Sequence, residues 1–189
     1  MKKVCTLYAY SQSKKLAFTA LFSALCCIGT VLIAIPLPNG YFNVGDVFVL
    51  LSGWILGPLY GSVAAAVGSA LADVISGYAI YVPATAAIKG GSALIAYTLC
   101  LFLKKIIKKD KLDFLVRLIS AVFAEVFMVL GYFLFESHLY GFGGATLALT
   151  GNLLQGGCCL IIATAIFSAL YLSHATKKFL INLHTHKDF

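Results

Sequence analysis

Long apolar runs, separated by turn signals and short basic segments, constrain this chain more than any other feature of its sequence. Residues 16–35 form the first such run, and about 20 apolar residues suffice for a helix to cross a ~30 Å hydrocarbon core. The composition agrees, with 61% hydrophobic and only 11% charged residues, against roughly 25% charged residues in soluble domains. The sequence therefore predicts an integral membrane protein.

Turn and breaker residues divide the apolar sequence into six predicted spans. Pro36 and Pro38 end the first run, because proline has no backbone N–H to continue a helix. Gly57 and Pro58 separate the second span from the third. We predict an all-α fold, a compact bundle of six transmembrane helices over residues 16–35, 44–56, 59–76, 83–103, 115–135 and 145–172. A loop is expected at 137–144. The predicted domain covers 16–173, between a basic lead at 1–15 and a basic tail at 174–189.

The positive charges predict the orientation of the bundle. Thirteen of the fourteen Lys and Arg residues lie in the lead, the 104–117 segment or the tail, and the exception is Lys89. Six spans place these three basic regions on one side of the membrane, and basic loops mark the cytoplasmic side. Both termini are therefore expected in the cytoplasm. Basic segments confined between apolar runs do not indicate a nucleic-acid partner.

Ionisable residues inside the predicted spans are candidates for function, because a charge in the hydrocarbon region is costly. Asp46, Asp73, Lys89 and Glu125 are in such positions. Asp73 and Lys89 lie at similar depths on consecutive antiparallel spans, so we expect them to form an ion pair. That pair could fix the register of two helices, or Lys89 could contact a ligand.

Polar side chains converge on the predicted outer half of the bundle. Asn152 and Gln155 are three residues apart and share a helix face, and Glu125 and Tyr132 share a stripe on the fifth span. The inner half is nearly all apolar, so the pattern indicates a ligand cup that opens to the outside. The predicted ligand-binding residues are Tyr41, Asn43, Asp46, Lys89, Glu125, Tyr132, Asn152 and Gln155.

The chemistry missing from the sequence limits the class of function. No P-loop motif is present, and no cluster of His, Cys or acidic residues predicts a catalytic or metal site. His184 and His186 lie in the polar tail and are not read as metal ligands. We therefore expect no enzyme, no cofactor and no metal. A self-sufficient small channel or secondary transporter remains an alternative, and an intramembrane hydrolase using Glu125 or Asp73 is a weaker one.

Five short segments, in their order and spacing, resemble one family of membrane proteins. The chain resembles the S component, the substrate-binding membrane subunit, of energy-coupling factor (ECF) vitamin transporters. It is most similar to the branch that includes riboflavin, pyridoxine and hydroxymethylpyrimidine carriers. The resemblance covers most of the chain, and the matching segments are YFNVGD (41–46), GSALADVISGY (68–78), YVPATAAIKG (81–90), EVFMVLGYFLFE (125–136) and NLLQGG (152–157).

The resemblance implies partners and a mechanism. The partners are a transmembrane T component and two ATPase subunits in a bacterial cell membrane, and the family's AxxxA contact with the T component matches Ala20 and Ala24. The family delivers its substrate by toppling of the loaded subunit within the bilayer. Because carboxylates outnumber cations in the cup, we expect a pyrimidine or pyridine compound such as hydroxymethylpyrimidine or pyridoxine. Riboflavin or another flat heterocycle is the alternative.

Overall fold

The structure is a computed structural model that describes residues 12–33, 35–37, 40–107 and 112–172. The basic lead before Gln12, the 108–111 segment and the predicted tail lie outside the described residues. The elements in chain order are α1 (Gln12–Leu32), β1 (Ile35–Leu37), β2 (Gly40–Phe42), α2 (Gly45–Leu56), α3 (Pro58–Ile75), a 3₁₀ turn (Ala79–Tyr81), α4 (Val82–Ile106) and α5 (Asp113–Leu172).

The helices have the length and apolar character of membrane spans. Within the described ranges, four helical segments are long and apolar enough to cross a bilayer: Gln12–Leu32, Pro58–Ile75, Ala79–Ile106 and Asp113–Tyr171. The helix α2 is apolar but shorter, with 12 residues. The all-helical membrane bundle expected from the sequence is therefore found.

A short β-hairpin between α1 and α2 was not predicted. The strands β1 and β2 pair antiparallel, with Ile35 opposite Phe42 and Leu37 opposite Gly40. The sequence predicted only the end of the first helix at Pro36 and Pro38. Proline is tolerated in an edge strand, because the missing N–H can lie on the side of the strand that has no partner strand. The chain thus leaves α1 as an extended ribbon and re-enters the bundle at α2.

The helix α5 is interrupted at Gly141, which has backbone angles of φ 73° and ψ 171°. Its 60 residues would span about 90 Å if straight, three times the ~30 Å core. Glu125 touches Gly156 and Arg117 stacks on Phe167, so the two arms, 113–140 and 142–172, run back along each other. The predicted loop over 137–144 is wrong, since helix continues on both sides of a single glycine.

Small residues let the helices approach closely. A Cβ atom added to Gly53 of α2 would overlap the carbonyl of Ala93 on α4. One added to Gly68 of α3 would overlap the carbonyl of Ser23 on α1. Contacts between backbones at these distances leave no room for a larger residue.

The bundle has two chemically different ends. We call the end that carries the β-hairpin, the 76–81 turn and Gly141 the hairpin end. The opposite end, where α4 ends at Lys104 and Lys105 and α5 begins, is the basic end. The main apolar cluster includes Leu50, Trp54, Val116 and Phe167, so it fills the middle and the basic end. The buried acidic residues Asp46, Asp73 and Glu136 lie nearer the hairpin end, and the buried Glu125 lies near the middle of the first arm of α5.

Candidate functional site

A buried ion pair between α2 and α4 lies at the centre of the candidate site. The Lys89 Nζ atom is 2.6 Å from Asp46 Oδ1, and the side chains are 6% and 1% exposed. Asp46 lies in the first turn of α2, where the helix dipole favours a carboxylate. Lys89 lies seven residues after the start of α4, about 10 Å along its axis. The pair therefore joins the beginning of α2 to the first half of α4.

Gln155 on the second arm of α5 extends this pair to the hairpin. Its amide Nε2 donates to Asp46 Oδ2 at 2.6 Å. Its Oε1 accepts from the backbone N–H of Asn43 at 2.9 Å and from Asn43 Nδ2 at 3.0 Å. Asn43 Oδ1 in turn accepts from the Gly45 N–H at 2.9 Å, an Asx-type bond that starts α2. Four residues from three parts of the fold form one connected polar network.

Glu125 lies beside this network with unused hydrogen-bonding capacity. It is buried, and neither carboxylate oxygen has a hydrogen-bond partner among the described residues. A Cβ atom added to Gly156 would lie 3.2 Å from Glu125 Oε2, so a glycine on the facing arm accommodates the carboxylate. A buried polar group without a partner is rare and calls for an explanation. Glu125 is therefore the group in the site best placed to accept from a ligand.

Tyr132 forms the wall of the site toward the hairpin end. Its hydroxyl donates to Thr85 Oγ1 at 3.0 Å, and the Lys89 ammonium lies 5.2 Å from the centre of its ring. A cation over an aromatic face is held by the ring's negative face. Tyr132 thus positions Lys89 while presenting an aromatic surface inside the bundle.

The structure gives Lys89 a different partner from the one the sequence predicted. Asp46 forms the ion pair in place of Asp73, because the first turn of α2 reaches Lys89 directly. Asp73 is also buried, on α3. The prediction from the sequence paired residues on consecutive helices only. It missed Asp46 because α2 and α4 are neighbours in space but not in sequence.

The remaining predicted ligand-binding residues differ in where they lie. Asn152 is half-buried, and in the part of the chain that the structure describes no hydrogen bond joins it to the network around Asp46. Tyr41 belongs to β2, and its side chain lies outside the described residues. The structure therefore brings together Asn43, Asp46, Lys89, Glu125, Tyr132 and Gln155. Ala20 and Ala24 both lie on the exposed face of α1.

A second charge cluster, at the basic end and built on the buried Arg117, was not predicted. Arg117 donates from Nε to Asp113 Oδ2 at 2.8 Å, and Lys104 pairs with the other oxygen of Asp113. The Arg117 guanidinium carbon lies 3.4 Å from the ring centre of Phe167 and 5.5 Å from that of Trp54. The four-residue spacing of Asp113 and Arg117 was a usable signal, but the sequence placed Arg117 in the exposed basic segment.

The site offers polar recognition and aromatic surface. Its groups are one ammonium, two carboxylates, two amides and a phenol, a set that can bind a small polar heterocycle. Among the described residues, no three His, Cys, Asp or Glu side chains are grouped so that they could hold a metal ion.

Comparison with known proteins identifies the family of the chain. The sequence model described as "ECF-type riboflavin transporter, S component" matches residues 11–172. The chain belongs to this S component family. This chain is thus a membrane protein, and its family consists of substrate-binding transporter subunits that serve vitamin uptake.

Two individual proteins extend the comparison. A protein of Pyrococcus woesei, described as "Uncharacterized protein in gap 3′ region", is 36% identical over 137 residues, which cover 71% of this S component and 86% of that protein. A solved structure, "Structure and mechanism of the S component of a bacterial ECF transporter", matches with a TM-score of 0.67 at 22% identity. The match covers 85% of this chain and 96% of that one, and at this identity it shows the shared fold alone.

Proposed function

We propose that this S component binds a vitamin or vitamin precursor with a flat nitrogen heterocycle in a cup at the hairpin end. The observation that carries the proposal is Glu125, a buried carboxylate with two open acceptor oxygens beside the Asp46–Lys89 pair. The proposed contacts are Tyr41, Asn43, Asp46, Lys89, Glu125, Tyr132, Asn152 and Gln155. Gln155 and Asn43 also hold the cup together.

The charges of the cup favour a ligand that donates hydrogen bonds. Lys89 is already paired with Asp46, which leaves Glu125 as an acceptor for an amine or a ring N–H. A carboxylate ligand would instead require a free cation or a bidentate Arg. The first candidates are therefore hydroxymethylpyrimidine and pyridoxine. Riboflavin is the second candidate, because the description of the matching family names it.

The proposed topology has six spans with both termini in the cytoplasm. The two arms of α5 then count as separate spans, and α2 and α3 form a tight pair around Gly57. The hairpin end faces outward, because the basic residues lie at the other end and follow the positive-inside rule. The proposal keeps the boundaries predicted from the sequence, with the bundle over residues 16–173 and a cytoplasmic segment on either side. It also places the protein in a bacterial cell membrane.

Transport is proposed to require partners. A T component would dock on the α1 face that exposes Ala20 and Ala24, where small residues let another helix approach closely. Two ATPase subunits would supply the energy, and toppling of the loaded S component would carry the cup to the cytoplasmic side.

Ligand binding by the purified S component tests the proposal. Native mass spectrometry should show a small molecule that co-purifies, and isothermal titration should rank hydroxymethylpyrimidine, pyridoxine and riboflavin. Glu125→Ala should weaken the binding of the best of them, by roughly 5- to 150-fold for a lost buried hydrogen bond. The proposed cup is rejected if Glu125→Ala, Gln155→Ala and Asp46→Ala all bind as tightly as the parent protein.

A further inference from the structure

A second buried carboxylate, Glu136, lies near the hairpin end of the first arm of α5. The residue is only 3% exposed, and its Oε2 atom has no hydrogen-bond partner within the described residues. Among the described residues, no Lys or Arg forms an ion pair with Glu136. The ion pairs of these residues involve Asp46 and Asp113. A carboxylate removed from water without a cation is costly, so this position requires an explanation of its own.

Aromatic side chains pack around Tyr81, beside Glu136. The Tyr81 ring packs edge-on against Phe135, with centroids 5.3 Å apart, and against Tyr78 at 6.1 Å. The Tyr81 hydroxyl lies within interaction range of both Glu136 and Tyr140. Tyr140 is half exposed, so it borders the cluster on the solvent side. Aromatic rings combined with one carboxylate are the groups that recognise an organic cation.

The Glu136 cluster and the Asp46–Lys89 site are separate. Glu125 and Glu136 are eleven residues apart on one helical arm, about 16 Å and three turns. They therefore face the same direction at different depths. Tyr132 lies between them, bonded to Thr85 of α4. A single-ring ligand cannot reach both carboxylates at once, so a ligand of that size would use them in succession.

We infer that Glu136, together with Tyr78 and Tyr81, forms an outer subsite for a positively charged nitrogen group. The subsite binds an organic cation, such as a protonated amine or a pyridinium ring, through the carboxylate and the aromatic faces. The inference rests on the proposed function in one respect: the nitrogen group would belong to the ligand that then passes to Glu125. Binding of a simple cation to the subsite does not depend on the identity of that ligand.

N-methylpyridinium is the probe, because it carries the charge and the flat ring but none of the other groups of a vitamin. Its binding to the S component in a nonionic detergent can be followed by saturation-transfer difference NMR, with empty micelles as the blank. We expect binding to the parent protein and a Kd raised roughly tenfold or more in Glu136→Gln, since a charge-assisted contact is lost. Ser137→Ala, next to Glu136 on the same helix with its hydroxyl bonded to the Phe133 carbonyl, is the control and should leave probe binding unchanged.

Absence of probe binding to the parent protein overturns the inference, and so does equal binding by Glu136→Gln. Tyr78→Leu is the second variant in case Glu136→Gln does not fold, and it should also weaken the probe by removing an aromatic face. A vitamin titration separates the two proposals: failure of all three vitamins rejects the proposed function, whereas the probe result decides the outer subsite alone.

Discussion

The two ends of the S component each hold an ion pair inside the bundle, and the surroundings of the two pairs differ. At the basic end, Arg117 is covered by Phe167 and Trp54, and both Asp113 oxygens are paired. At the hairpin end, Asp46 and Lys89 are equally well paired, but the neighbouring Glu125 has two open oxygens within the described structure. A completed cluster stabilises the fold, whereas an incomplete one has capacity left for a ligand.

The bonds around Trp54 show how complete the basic end is. Its indole N–H donates to Ser120 Oγ at 3.2 Å, and that hydroxyl donates to the Arg117 carbonyl at 2.8 Å. The indole ring also packs edge-on against Phe167 at 5.9 Å. These contacts join α2 to the two arms of α5. We expect substitutions here to change stability, and substitutions at the hairpin end to change both stability and binding.

The largest effect should come from Asp46→Ala, which leaves the Lys89 ammonium buried without its carboxylate. Breaking a buried pair costs about 3–5 kcal/mol, which for a protein of this size lowers Tm by roughly 6–20 °C. Thermal unfolding of the detergent-solubilised protein measures the change. Asp46→Leu combined with Lys89→Met should recover stability but not ligand binding. A double variant as unstable as Asp46→Ala would contradict this account.

A smaller effect is expected from Arg117→Met at the basic end. The variant loses a desolvated cation–aromatic contact worth about 2 kcal/mol, while Asp113 keeps Lys104 as a partner. We expect Tm to fall by roughly 4–8 °C and the ligand Kd to stay within twofold of the parent value. Arg117→Lys should be only a partial rescue, because an ammonium lacks the planar face that stacks on Phe167. A large change in Kd would show that the two ends are coupled.

Gln155 and Asn152 provide a comparison within one helical arm. Gln155 bonds to Asp46 and Asn43, so Gln155→Ala should weaken ligand binding roughly 5- to 150-fold. Asn152 is half-buried and has no such link among the residues described, so Asn152→Ala should weaken binding less than fivefold. Isothermal titration on both variants measures the difference. Equal losses would mean that the bonds of Gln155 to Asp46 and Asn43 add nothing to ligand binding.

The smallest effect on the subunit itself is expected on the α1 surface. Ala20→Trp with Ala24→Trp adds bulk to an exposed face, so Tm and ligand Kd should stay near the parent values. Uptake by cells that also contain the partner subunits should nevertheless fall to background, because the large rings prevent close helix approach. Replacement of exposed Leu21 by Trp is the control. Undiminished uptake by the double variant would place the docking face elsewhere.

Much of the fold could be predicted because the bilayer imposes simple rules. Apolar length, proline and glycine breakers and the Lys and Arg distribution were enough to locate the helices, including the tight turn at Gly57. The sequence did not reveal that Gly141 alone replaces a loop, since a single glycine in a Gly- and aromatic-rich segment also fits a longer connection. The β-hairpin was missed because three-residue strands have no detectable alternation.

The buried polar cluster around Asp46 was predicted in its members more than in its contacts. The cost of buried charge identified Asp46, Lys89 and Glu125 from the sequence alone. Their pairing could not be derived, because helix order in sequence does not determine which helices touch, and α2 lies against α4. Arg117 was misplaced for a related reason: a charge at the end of a span can snorkel to water or turn inward. Only the positions of Phe167 and Trp54 decide between these outcomes.

The short helix α2 has a consequence for how the S component is made. At 12 residues it is about 18 Å long, well short of the ~30 Å core, and ten of its residues are buried by other helices. As a separate segment leaving the translocon, it would be too short to partition stably into lipid and would expose Asp46. We therefore expect α2 to enter the bilayer together with α3, and to stay poorly anchored until α4 supplies Lys89. Early truncation of the nascent chain before α4 should leave it accessible to proteases.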